Sequence, residues 1–228
     1  MFEEMEKKIR NWDALGTIRI GASITIGTHI LPPLLKQYQT CFPHLRTEIA
    51  INQSAAIERH VLNNTIDIGL IETQPEHPDI QSIPFMEDEL QAIVNIKHSL
   101  THSSKITLEQ LAQYPILMRE KGSAGREILD ASFALRQISI QPLWESSSTQ
   151  AIVRGVAEGL GVAVLPYLLV KKDIEEHTVA AIPLSHPLKR TLHIIYHKSK
   201  YLTENMQAFI RLCRNYGGTA APAVSRPK

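Results

Sequence analysis

The sequence predicts a two-lobed α/β protein, and three observations carry that prediction. Segments alternating apolar and polar residues with period two take turns with segments of helical spacing from residue 17 onward. That alternation runs once, meets a proline-rich connection, and then runs again. A further strand and helix follow the second run, as expected of two α/β lobes joined by two crossover segments.

Residues 1–15 read as a short amphipathic helix, with Phe2, Met5, Ile9 and Trp12 recurring among Glu and Lys. A one-sided stripe there either docks on a partner or ends a longer helix arriving from upstream. Thr17–Ala22 alternates as a strand, and residues 23–28 (SITIGT) read as a hydroxyl-rich turn. Ile30, Leu31, Leu34, Leu35 and Tyr38 mark a helix, with Pro32 and Pro33 in its tolerant opening turn. Arg46–Ile51 is the next strand, Ser54 caps a helix carrying Ile57, Val61 and Leu62, and 66–71 is an apolar strand.

Pro75, Pro78 and Pro84 punctuate the connection, with a pair of strands around 83–86 and 90–96. In the second run Thr107 opens a short helix, and 115–118 is a strand. Gly122-Ser123-Ala124-Gly125 opens a helix bearing Ile128, Leu129 and Phe133, and 138–144 contains a strand. Ser146-Ser147-Ser148 precedes a helix with Ile152, Val153 and Val156; 162–165 is a strand and 166–170 a further helical turn. A strand at 190–197 and a helix at 203–216 close the fold, and residues 218–228 are expected to form a disordered tail.

Composition narrows the function classes. The formal charge of +1 removes the electrostatic footprint of a chain that grips nucleic acid with its own surface. No apolar run approaches the roughly 20 residues of a membrane-spanning helix, and the charged start MFEEMEKKIR is no secretory signal. Cys41 and Cys213 are far apart and form no CxxC, so neither a disulfide framework nor a structural zinc is expected, and a reducing cytoplasm is.

One local device recurs three times: a strand, then a Ser/Thr/Gly-rich turn, then an amphipathic helix. Its instances are Ser23-Ile24-Thr25-Ile26-Gly27-Thr28, Gly122-Ser123-Ala124-Gly125 and Ser146-Ser147-Ser148-Thr149; Gln53-Ser54 is a fourth candidate. The first N–H groups of each helix lack intrahelical partners and carry partial positive charge, so such starts accept carboxylate, sulfate or phosphate without Arg or Lys beside them. Plain N-capping is the better explanation of any one of the three taken singly and an equal one for Gln53-Ser54; three at strand C-termini point to a shared ligand site.

Other candidates carry less. Gly155, Gly159 and Gly161 close a helix and enter a strand, the reverse of a dinucleotide-binding order. His193 and His197 in a strand would stand about 13 Å apart, too far for one metal ion, and His98 and His102 read as a surface loop. His29 is placed at the first helix start, and Asp67 reads either as a buried base or as an acceptor for nearby backbone N–H groups. No metal, cofactor or catalytic residue is expected.

The segments RIGASITIGTHILPPLLKQYQTCFPHLRTEI, NNTIDIGLIE, EDELQAIVNIKHSL and AIVRGVAEGLGVAVLP together resemble the effector-binding domain of LysR-type transcriptional regulators. The resemblance runs from about residue 16 to 216. Asn64 stands where that family usually has Gly, and Ser99 where it has the Pro of "HPL". The resemblance implies a type II periplasmic-binding-protein-like fold, with residues 1–16 a remnant of the linker helix, 17–88 and 193–217 lobe I, and 89–192 lobe II. It implies a small anionic metabolite held in the inter-lobe cleft, against Ser23 and Thr25 on one side and Ser123 and Ser146 to Ser148 on the other. It further implies a head-to-tail homodimer through helices near 30–39 and 127–137, a higher oligomer in the intact protein, and DNA contact only through a winged helix-turn-helix absent from this sequence. A transport-type solute-binding protein and an enzyme on a related two-lobe scaffold are the alternatives.

Overall fold

The computed structural model describes residues 16–219; the expected helix over residues 1–15 and the end of the expected tail lie outside them. In chain order the elements are β1 (Thr17–Ala22), α1 (Ile24–His29), α2 (Leu31–Cys41), β2 (Arg46–Ile51), α3 (Ser54–Leu62), β3 (Ile68–Ile71) and β4 (Ile80–Val94). Then come a 3-10 turn (Ser99–His102), α4 (Leu108–Leu111), β5 (Leu117–Arg119), α5 (Ala124–Ala134), β6 (Trp144–Ser146) and α6 (Thr149–Ala157). The described residues close with β7 (Ala163–Pro166), α7 (Tyr167–Glu175), β8 (Ala180–Ile182), β9 (Leu188–His197) and α8 (Glu204–Thr219).

The chain divides into two compact units, one of Met1–Glu87 with Thr191–Lys228 and one of Asp88–Arg190. The chain therefore passes from unit 1 to unit 2 inside β4 and returns inside β9.

Unit 1 is built on parallel pairs β1–β2 and β1–β3, with β3 antiparallel to β9. The registers Ala22↔Ile51 and Ala22↔Leu70 bring the C-terminal ends of the three parallel strands to one edge. Ile57, Val61, Ile66, Ile71, Ile80 and Ile195 form a core under α3. On α2, the buried Tyr38 packs edge-on to Phe209 of α8 at 5.2 Å and donates its hydroxyl to the Asn205 carbonyl at 2.9 Å. Asn64, in the position the family usually gives to Gly, has φ 54°, a left-handed conformation that Asn tolerates better than most residues.

Unit 2 pairs β4 antiparallel with β7 and β8, and β5 parallel with β6. Leu90, Leu111, Phe133 and Val162 belong to one of its core clusters and Ile152, Val156, Leu165 and Val170 to another. Gly161 is forced by packing, because a Cβ there would lie 2.3 Å from the Pro115 carbonyl oxygen.

Several expectations are corrected. Residues 24–29 form a helix, not a turn, with Thr25, Ile26 and Gly27 buried; Gly27 sits against Ile51, where a Cβ would meet the side chain at 2.9 Å. The two strands expected at 83–86 and 90–96 are one strand of 15 residues. Asp88, between the two expected strands, is buried within the one strand, where Arg190 grips it through Nε (2.9 Å) and Nη2 (2.7 Å). The strand expected within 138–144 shrinks to Trp144–Ser146. The closing helix runs to Thr219, past its expected end. Ser54 is the first helical residue and not the cap; Gln53 holds that place, with no side-chain capping bond.

Candidate functional site

In unit 1 the ends of β1 and β3 lie side by side, so Ser23 and Glu72 follow neighbouring strands. Ser23, 2% exposed, donates its hydroxyl to Glu72 Oε1 at 2.6 Å, and the Thr25 N–H donates to the same oxygen at 3.2 Å. The Ser54 hydroxyl accepts from the Glu72 N–H at 3.3 Å. Three of the expected residues thus converge on one residue of the chain itself, Ser23 and Thr25 on the Glu72 carboxylate and Ser54 on the Glu72 backbone N–H. Ile24 and Gln53, the other two, are exposed, and the Gln53 N–H donates to Asn52 Oδ1 at 2.8 Å. Sequence reasoning missed Glu72. Its signal was an acid directly after an apolar strand, but its meaning depends on strand register.

Unit 2 repeats the layout with different chemistry. Arg119 pairs with Ser146 in register at the C-terminal ends of β5 and β6, and the Glu120 N–H donates to the Ser146 carbonyl at 3.2 Å. Gly122, with φ 85°, turns the chain into α5, and Ser123 occupies its N-cap. The Ser123 hydroxyl oxygen is buried and makes no hydrogen bond, the single such side-chain atom among the described residues. Across the turn, Ser148 caps α6 by accepting from the Ala151 N–H at 3.2 Å, and the Ser146 hydroxyl accepts from the Ser148 N–H at 3.0 Å. Ser147 is exposed on that turn.

The expectation of a site without basic side chains is overturned here. Arg119 is buried, with Nε and Nη2 on the two carboxylate oxygens of Glu120 (2.8 and 3.0 Å) and Nη1 on the Thr149 hydroxyl at 3.0 Å. Arg126 of α5 donates to the Arg119 carbonyl at 2.7 Å and to Asp130 and Glu145, tying the turn before α5 to β6. Two N-termini of full-length helices, a buried guanidinium and an unengaged hydroxyl suit an oxyanion.

The remaining candidates take structural roles. Burial opposes ionisation of the Asp67 carboxyl, but hydrogen bonds from the Arg19 side chain, Lys200 and the Arg19 N–H outweigh it and hold the group below its ordinary range. His193 lies 2.9 Å from the Ser82 hydroxyl, and burial lowers its pKa. His98 Nδ1 accepts from the Leu100 N–H while its ring meets Tyr114 edge-on. His29 is exposed where α1 ends, directly before Ile30, the N-cap of α2. No group of three or more metal-ligating side chains occurs among the described residues.

The LysR substrate binding domain model matches residues 13–218. The chain belongs to that family. An uncharacterised HTH-type transcriptional regulator of Escherichia coli K12, YeiE, is 34% identical over 199 residues, which span 87% of this chain and 68% of the relative. The HTH-type regulator CysL of Bacillus subtilis is 31% identical over 88% of this chain and 67% of its own. The regulatory domain of Synechocystis PCC6803 CcmR, solved in complex with 2-PG, superposes with a TM-score of 0.82 at 23% identity, covering 90% of this chain and 99% of that one. The effector binding domain of QuiR, in complex with shikimate, gives 0.77 at 22%, covering 90% and 98%. These likenesses show the type II periplasmic-binding-protein-like fold of LysR regulatory domains. The relatives are transcriptional regulators, which favours a sensor domain over a transport protein. No helix among the described residues is long and apolar enough to cross a membrane.

Proposed function

We propose that this LysR substrate-binding domain senses a small anionic metabolite, and that the oxyanion group is received by the strand-end turns of unit 2. Two observations carry this: the buried Arg119 guanidinium at the end of β5, and, four residues on at the N-cap of α5, a buried Ser123 hydroxyl oxygen that has no partner. A native fold leaves few such groups unpaired, and an oxyanion would satisfy this one. In unit 1 the Glu72 carboxylate already engages Ser23 and Thr25, so that turn favours hydrogen-bond donors and not an oxyanion. The effector complexes of CcmR and QuiR support a small-molecule role for this domain type.

The rest of the proposal concerns the whole regulator. It works in the cytoplasm without a cofactor, and a helix-turn-helix part like that named for its relatives contacts DNA. The domain pairs head-to-tail with a second copy; Ile49 and Ile51 on the outer strand β2 and Leu135 beyond α5, which is 85% exposed, supply apolar surface for it. Effector binding alters DNA occupancy only through a difference in affinity between two states.

Isothermal titration against a panel of acidic, neutral and cationic metabolites tests the sensing claim. Heat is expected from acidic compounds, and heat from cations or neutral sugars alone would overturn it. Sedimentation of the wild type and of Ile51→Glu tests the dimer: a shift toward monomer in the variant is expected, and an unchanged dimer rejects this surface.

A further inference from the structure

Arg119 and Glu120 are neighbours in sequence, yet their side chains form a two-pronged ion pair. The guanidinium side chain is 8% exposed and the carboxylate 23%, so the acid lies on the solvent side of the pair. The Glu120 backbone is fixed, with its N–H on the Ser146 carbonyl and its own carbonyl accepting from the Ser123 N–H at 3.3 Å. Only the side chain is free to turn away. Its two oxygens take the Nε and Nη2 edge of Arg119, the edge whose parallel N–H groups match a carboxylate, sulfate or phosphate.

We propose that the Glu120 carboxylate is a stand-in for the effector, holding Arg119 in the empty sensor and leaving it when an oxyanion arrives. This rests on the reading of unit 2 as the oxyanion-receiving half. Binding then exchanges one anion for another on the same guanidinium, so affinity measures the difference between them and not the full strength of the Arg contact. The stand-in also keeps a buried cation paired while the site is empty, where an unpaired one would be costly. After the exchange Glu120 faces water, where a carboxylate is well solvated, and Thr149 still accepts from Nη1 of Arg119.

The test titrates inorganic sulfate, inorganic phosphate and malonate into the wild type, Glu120→Gln, Glu120→Ala and Arg119→Met, at constant ionic strength set with chloride. Glu120→Gln and Glu120→Ala are expected to bind the best of these probes about fivefold more tightly, the factor that ~1 kcal/mol of lost competition gives. In the wild type the carboxyl carbon resonance of Glu120 should move on saturation. Melting curves check that each variant folds, and the two Glu120 variants guard against one being misfolded. Wild-type binding with no gain in either folded Glu120 variant overturns the stand-in role and leaves the sensing proposal intact. Absence of binding by the wild type and by both Glu120 variants overturns the two together.

Discussion

The two units use the same strand–turn–helix device and reach opposite electrostatic results. In unit 1, Ser23 and Thr25 close on Glu72, a buried acid that ends the neighbouring strand. In unit 2 the neighbouring strand ends contribute Arg119, and the hydroxyl at the helix start, Ser123, is left without a partner. A hydroxyl-rich helix start is therefore not an anion site by composition alone. One charged side chain at a strand end sets what the helix start meets: Glu72 at Ser23 and Thr25 in unit 1, and Arg119 at Thr149 in unit 2.

That contrast breaks if Arg119→Met retains oxyanion binding. The expected loss is about two- to thirtyfold, a charge-assisted pair's roughly 1.5–3 kcal/mol less the ~1 kcal/mol that displacing Glu120 costs, and it is read by titration with sulfate or phosphate. Glu72→Ala sharpens it from the other side. Removing that acceptor strands the buried Ser23 hydroxyl and Thr25 N–H, so urea unfolding should show a loss of about 1–3 kcal/mol, with Glu72→Gln milder. Ser123→Ala should behave in the opposite way. Deleting a hydroxyl with no partner should leave stability unchanged or raise it by up to about 1 kcal/mol, while weakening oxyanion binding; a clear destabilisation would show that the hydroxyl is already engaged.

A smaller effect separates the two acids that flank β3. Asp67 at its start is held by Arg19 and Lys200, and its pKa in the fold lies below the ordinary 3.8. A depressed carboxylate contributes stability that is full above the unfolded value and is lost as pH falls through the folded one. Acid titration of Asp67→Asn should therefore show a shallower loss of stability below about pH 4 than the wild type. An equally steep acid limb would mean that other groups dominate it.

Elements with a strong local period were legible in the sequence. The alternation of Thr17–Ala22, the proline-opened helix carrying Leu34 and Tyr38, and the Thr107 start of α4 all appear where expected. The glycines after α6 were legible too, because Gly159 follows a helix end and Gly161 enters a strand. Helix α1 was hidden because Ile24 and Ile26, separated by Thr25, imitate an extended turn. The long β4 was hidden because Asp88 looks like a surface charge until its partner, 102 residues away, is known. The candidate site was half legible for the same reason. Ser23, Ser123 and Ser148 are local signals, whereas the contact of Ser23 with Glu72 and that of Arg119 with Thr149 join residues 49 and 30 apart in sequence.

The pairing of Asp88 with Arg190 has a consequence for how such a molecule is assembled. These are the first and last residues of unit 2, and their side chains touch. Unit 2 is thus an uninterrupted stretch of chain whose two ends meet, an insert within the sequence of its neighbour. A gene segment of that kind can be moved, duplicated or exchanged between hosts with only a short splice at each end.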